Sequence, residues 1–339
     1  MSPTKLTPTQ RTLVLQRLTA LWAFSESGLG GILHALQVPF TGLIVGGFAV
    51  IIITLMAHVS RPSYGEVLKS LTVVLLVKLA VSPHTSFPAY IAVSFQACLG
   101  YSLFRLFGVR LLSVMVLSVL AMLESALQKL MVLTVFFGMS WWKAADELVL
   151  AVSKQLSWTV TTGGTWIVGT YLAIYFVGGL LVGLTALKMT REMGHANAPL
   201  PDLGPAPIPT PKHRRTTGRQ IALLLGISAT LSLLLYLLAP RTNEAVLATA
   251  RAFTWTVSAI LAWYLVLAPT LLSMIRSRLQ RRSGRYHQDV GLVLAFLPVL
   301  RQLAAQAWRV SRTKRGPKRI PFFLSLLVGW ALTYSDPAS

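Results

Sequence analysis

Residues 24–59 read FSESGLGGILHALQVPFTGLIVGGFAVIIITLMAHV. The stretch is apolar enough to lie in a bilayer. Yet it carries Glu26 and His34, a glycine-rich knee at Gly28, Gly30 and Gly31, and a turn at Pro39. A soluble core helix has no need of that mixture, whereas two membrane helices meeting beside a polar pocket do. An ionisable residue inside a membrane is costly, so each one marks a candidate functional position. The rest of the chain reads as the housing of this hairpin.

Composition points the same way. Of 339 residues, 54% are hydrophobic and 12% are charged. That is about half of the roughly 25% charged share of soluble proteins. Several apolar runs reach the about 20 residues that a helix needs to cross a bilayer. The runs are continuous and do not alternate, which argues against a membrane β-barrel. The expected class is all-α: a polytopic helical membrane protein, with a six-helix bundle, about three further membrane helices and a cytoplasmic amphipathic helix.

The formal net charge is +21. In membrane proteins Lys and Arg gather in cytoplasmic loops beside anionic lipid. The excess therefore points to anionic lipid and not to nucleic acid. The single cysteine, Cys98, excludes an intrachain disulfide and a cysteine-type metal site. The polar lead MSPTKLTPTQ runs straight into a helix with no small-residue cleavage site, so no cleavable signal is expected.

Taken in order, helices are expected over 11–36, from after Pro39 to about His58, and over 66–81, 89–107, 111–137 and 163–187. Residues 138–161 are less apolar, and Trp141, Trp142, Lys143 and Trp158 predict an interfacial amphipathic helix there. Residues 191–219, REMGHANAPLPDLGPAPIPTPKHRRTTGR, read as an extended linker. Beyond it, membrane helices are expected over 221–239, 245–275 and 321–334, with a basic block at 276–319. The chain thus divides into a substrate-binding membrane module at 1–190, a Pro-rich basic cytoplasmic linker at 191–219, and a second membrane module with a cytoplasmic coupling helix at 220–339. Basic loops stay inside. The N-terminus, the turns at 60–69 and 105–110, the linker and the block at 276–319 then fall in the cytoplasm. The loops at 37–40, 82–88 and 138–161 fall outside. The expected location is the bacterial cytoplasmic (inner) membrane.

At 1.5 Å per residue, Glu26 lies about 15 Å from the outer end of its helix, and Glu124 about 20 Å. Lys78 is nearer the outside, with Gln96 at similar or slightly greater depth. His34, Gln37 and Thr41 flank the outer turn of the first hairpin, and His84 sits in the next outer loop. Trp141, Trp142, Trp158 and Trp166 are placed to form an aromatic lid. Together Glu26, His34, Gln37, Lys78, His84, Gln96, Glu124 and Trp166 outline an outward-facing substrate cavity of the usual small-molecule form. A structural alternative stands beside this. Glu26, Lys78 and Glu124 then pair only to satisfy their burial, the histidines are loop residues, and the tryptophans form an interface belt. The glycines allow close helix packing, as at Gly42 and Gly46. No GxxxxGK[ST], paired Asp-rich motif, HExxH or GxSxG occurs. No enzyme activity, cofactor or metal is expected.

The Gly/Ala-rich hairpin GLGGILHALQVPFTGLIVGGFAV, six helices with cytoplasmic ends and a polar outer pocket resemble the substrate-binding S component of energy-coupling-factor (ECF) vitamin transporters. This covers roughly residues 11–190. The stretch FLPVLRQLAAQAWRVSRTKRG, 296–316, resembles the cytoplasmic coupling helices of the T component of the same ABC-type importers. In that family a proline opens an amphipathic helix and an Ala-Arg-Gly-like triplet ends it. Here the triplet is Lys314-Arg315-Gly316, with Lys314 where alanine is usual. The resemblance implies a membrane subunit that captures a small vitamin-like molecule. It would couple to separate ATP-hydrolysing subunits through Arg309, Arg312, Arg315 and Gly316. Two other readings stay open: a membrane scaffold or assembly subunit, with no saturable ligand, and an ion-coupled secondary carrier, working without ATP.

Overall fold

The computed structural model describes residues 6–30, 40–82, 85, 87–155, 163–193, 199–201, 230, 244–314 and 316–334. Helices account for the secondary structure, with no strand among the described residues. α1 (Pro8–Phe24) starts earlier than the hydrophobic pattern suggests, because a capping box fixes its first turn. Thr7 Oγ1 accepts from the Gln10 N–H, the Gln10 side chain accepts from the Thr7 N–H, and Pro8 opens the helix. The helix continues through a π turn (Ser25–Leu29). Then come α2 (Thr41–Val59), α3 (Gly65–Val81), α4 (Phe87–Phe107), α5 (Leu111–Phe137), α6 (Met139–Gln155) and α7 (Gly163–Glu192). The last part holds α8 (Glu244–Leu261), a π stretch (Ala262–Leu267), α9 (Ala268–Ser311), a 3-10 turn (Gly316–Lys318) and α10 (Arg319–Thr333). The expected helix over 221–239 and most of the linker lie outside the described residues.

Five helical runs are long and apolar enough to cross a membrane: α2, α4, α5, residues 165–192 of α7, and residues 251–311. They are compatible with a membrane-embedded protein. Leu112, Leu120, Leu127, Leu181 and Leu184 stand exposed on α5 and α7, where hydrocarbon is a better solvent than water.

The chain divides into two compact units, residues 1–125, 175–209 and 276–339, and residues 126–174 and 210–275. In the first unit α1 is central. Every residue from Leu18 to Ser27 is buried, and a helix buried on all faces needs neighbours all round. α2, α3 and α10 pack against it. α2 is buried almost as completely, and packs on α4 as well. Small residues set these distances. A β-carbon at Gly100 of α4 would meet Ile53 at 2.7 Å, and one at Gly47 of α2 would meet Val182 at 2.9 Å.

One end of this unit is tied by arginines. Arg11 donates from Nε to the Val59 carbonyl at 2.8 Å and from Nη2 to the Arg61 carbonyl. Arg61 in turn donates to the Val109 carbonyl at 2.7 Å. The start of α1 and the α2–α3 and α4–α5 turns are thereby gathered together. These are three of the five basic segments that the charge pattern groups on one side. Gly108 makes the α4–α5 turn possible, with a φ of +67° that a side chain would strain.

In the basic block the helix extends beyond the expected amphipathic stretch, back through the first basic cluster. Leu279, Val293, Leu300 and Ala307 are buried at multiples of seven residues, with Phe296 and Leu303 beside them. The seam is continuous over 293–307, and α9 runs unbroken through RSRLQRRSGR and past Pro298. The helices expected over 245–275 and 296–316 therefore join in one run. α10 returns antiparallel, since Phe296 meets Tyr334 (ring centroids 5.8 Å apart) while Trp308 meets Phe323 (5.5 Å). Arg17 of α1 clasps this hairpin. Its guanidinium lies 3.9 Å from the Phe296 ring centroid and donates to the Tyr334 carbonyl at 3.5 Å. Replacing Arg17→Met is expected to cost about 1–2 kcal/mol. Amide exchange in α10 should then quicken while that of α2 stays slow.

In the second unit, Trp255 Nε1 donates to the Val135 carbonyl at 3.2 Å, and Phe136 meets Trp263 edge-on at 6.1 Å. Trp142 of α6 donates to Thr134 Oγ1 at 3.2 Å, and Trp141 packs edge-on against it at 4.9 Å.

Candidate functional site

The polar groups of the first unit lie first along the α1–α3 seam. Thr19 and Ser70 hydroxyls are 2.8 Å apart, Lys78 Nζ donates to Glu26 Oε2 at 2.6 Å, and Ser82 Oγ donates to the Ser27 carbonyl at 3.2 Å. Residue numbers rise together along both helices, so α1 and α3 run parallel. The Glu26 and Lys78 side chains are only 5% and 4% exposed. Taking such ions out of water costs several kcal/mol each, and the close pair offsets this only while both partners are present.

Glu26 stands in the π turn. Ser25 Oγ donates to the Trp22 carbonyl at 2.9 Å, and the Gly30 N–H closes on the Ser25 carbonyl. Each such turn adds a residue to the helix and rotates the side chains beyond it, and π turns are frequent at functional sites. Ser27 Oγ, next to Glu26 in the chain, and Trp22 Nε1, four residues before it, are buried without a hydrogen-bond partner. A buried unsatisfied group costs about 1–3 kcal/mol, so each calls for a reason.

A second polar spot faces α2. Gln96 of α4 is 2% exposed, and its Oε1 has no partner. A β-carbon at Gly46 would lie 3.0 Å from Gln96 Nε2, 3.1 Å from Met122 Cε and 3.7 Å from Ser125 Oγ. One at Gly42 would lie 3.3 Å from Ser125 Cβ and 3.9 Å from the Tyr175 hydroxyl. The Tyr175 ring also packs against Phe40, with centroids 6.0 Å apart. The two glycines thus let α4, α5 and α7 bring Gln96, Ser125 and Tyr175 onto α2. Ser125 and Tyr175 go unnoticed in the sequence, where only the Gly42–Gly46 spacing points to the place.

The other candidate residues are scattered. Glu124 is partly buried on α5, next to Ser125 in the chain. Trp166 of α7 belongs to the second unit and is 65% exposed. Arg309 and Arg312 are exposed at the end of α9, and Gly316 is exposed in the 3-10 turn with a φ of +65°. His34, Gln37, His84, Trp158 and Arg315 lie outside the described residues. Among the described residues, no three His, Cys, Asp or Glu are grouped to hold a metal ion. No protein-family model matches the chain, and neither a curated protein nor a solved structure is similar to it.

Proposed function

We propose that this protein is the membrane subunit of an importer, set in a bacterial cytoplasmic membrane with its N-terminus inside. It captures a small vitamin-like molecule and draws energy from separate ATP-hydrolysing subunits, as its resemblance to ECF transporters implies. The observation that supports this best is Gln96. A buried amide oxygen with no donor costs stability, and a ligand N–H or O–H is what would complete it. Gln96→Leu is the test. It should leave the fold intact or stabilise it by about 1–3 kcal/mol. It should also abolish saturable uptake in proteoliposomes of whatever small molecule co-purifies with the native complex. Unchanged uptake in a stable Gln96→Leu protein would sink the reading.

The Glu26–Lys78 pair favours a second reading, a membrane scaffold or assembly subunit. Each ion already satisfies the other, so the pair needs no ligand. Mass spectrometry of the complex purified from its native membrane separates the two: bound small molecule and ATPase subunits for the importer, other membrane proteins alone for the scaffold.

A further inference from the structure

One apolar stripe of α9 is buried inside the chain. Phe296, Leu300, Leu303, Ala307 and Ser311 are all buried. What remains outward is basic: Arg309 and Arg312 at the end of α9, then Lys314 and Lys318, all exposed. No acidic residue stands between Asp289 and Asp336, so this segment holds no carboxylate to neutralise them. Large apolar side chains are exposed beside these cations: Trp308 (43%), Val310 (37%) and Ile320 (61%). Trp308 is held in place. The Arg319 guanidinium lies 4.0 Å from its ring centroid and Phe323 meets it edge-on.

The chain's next element is apolar. α10 comes at once, apolar and packed on α1. Its 15 residues reach about 22 Å. Lys314 and Lys318 do not enter hydrocarbon cheaply, whereas the side chains from Ile320 onward do. The change from cationic to apolar side chains therefore falls between Lys318 and Ile320. Tryptophan is favoured where headgroups meet hydrocarbon.

We propose that the turn between α9 and α10 is a binding surface for an anionic bilayer. Arg309, Arg312, Lys314 and Lys318 hold the headgroups, and Trp308, Val310 and Ile320 enter the upper acyl region. The other partner that suits such a charge, an acidic groove on a soluble protein, is separated by the last outcome of the test. This surface lies apart from the Gln96 site, and it shares Arg309 and Arg312 with the coupling to ATP-hydrolysing subunits that the resemblance implies.

The test uses the full chain with Cys98→Ser and Thr313→Cys, carrying a fluorophore at the new thiol. It is placed in nanodiscs of phosphatidylcholine, or of phosphatidylcholine with an equal part of phosphatidylglycerol, with brominated acyl chains as quencher. Quenching is expected in the mixed bilayer and should be weak in phosphatidylcholine alone. It should fade with added salt. Each of Arg309→Gln, Arg312→Gln, Lys314→Gln and Lys318→Gln should raise the phosphatidylglycerol needed for half-quenching, with affinity falling about fivefold per charge. The unlabelled wild-type chain gives a second readout: amide exchange over 312–320 should be slower in the mixed bilayer. Equal quenching and equal exchange in the two bilayers would overturn the proposal. So would protection that appears only when a soluble ATP-hydrolysing subunit is added.

Discussion

Glu26→Gln is expected to destabilise the protein by about 3–5 kcal/mol, because it leaves Lys78 charged and alone in the core of the first unit. No exposed surface lies within easy reach, since both side chains are about 95% buried. Lys78→Met should cost about as much, for the mirror reason. The double variant Glu26→Gln, Lys78→Met should recover most of the loss, as replacing a whole buried ion pair is often neutral. Denaturant unfolding of the four proteins in one detergent gives the coupling energy directly. A coupling below about 1 kcal/mol, the value of a surface pair, would mean that water reaches the site. The double variant also carries functional information. Folded but unable to take up the co-purifying ligand, it makes Glu26 and Lys78 part of the binding site. Folded and fully active, it makes them a structural brace.

The second large effect is expected at Gly179. A β-carbon there would lie 2.9 Å from Val119 Cα and 3.1 Å from the Ser118 carbonyl oxygen. These are backbone atoms of α5, so no side chain can rotate aside. The helices must separate, and neighbouring contacts are strained with them. Gly179→Ala should cost about 1–3 kcal/mol, and Gly179→Val more, since its branched side chain has fewer rotamers to try. Gly169, ten residues earlier on the same helix, is the control. Nothing lies within 4 Å of a β-carbon there. Gly169→Ala should be neutral or stabilise by up to about 1 kcal/mol through helix propensity alone. Similar losses at both positions would mean that α5 and α7 do not pack as described.

The helical class and most helix limits were legible because they rest on local properties. The run expected over 111–137 is α5 at Leu111–Phe137, and that over 66–81 is α3 at Gly65–Val81. Two local signals were present and carried too little weight. The Thr7–Gln10 capping box with Pro8 sets the start of α1. The repeat Val293, Leu300 and Ala307 marks the buried stripe of the second half of α9. Of the candidate site, Glu26, Lys78 and Gln96 stood out from sequence alone, since a buried polar residue is conspicuous in an apolar helix.

The sequence by itself determined that polar groups must be buried, because hydropathy along each helix leaves them nowhere else to go. It did not determine their partners. Glu26 meets Lys78 because α1 and α3 pack in parallel, and because a π turn presents residue 26 to that seam. Gln96 lies against Gly46, with Ser125 and Tyr175 near the same face of α2, because three helices close on two missing side chains. α10 lies on α1, at the far end of the chain, because Arg17 finds an aromatic ring and a carbonyl there. Each is a contact between residues distant in sequence, set by helix rotation and register. Those quantities have no local signature; only packing in three dimensions decides them.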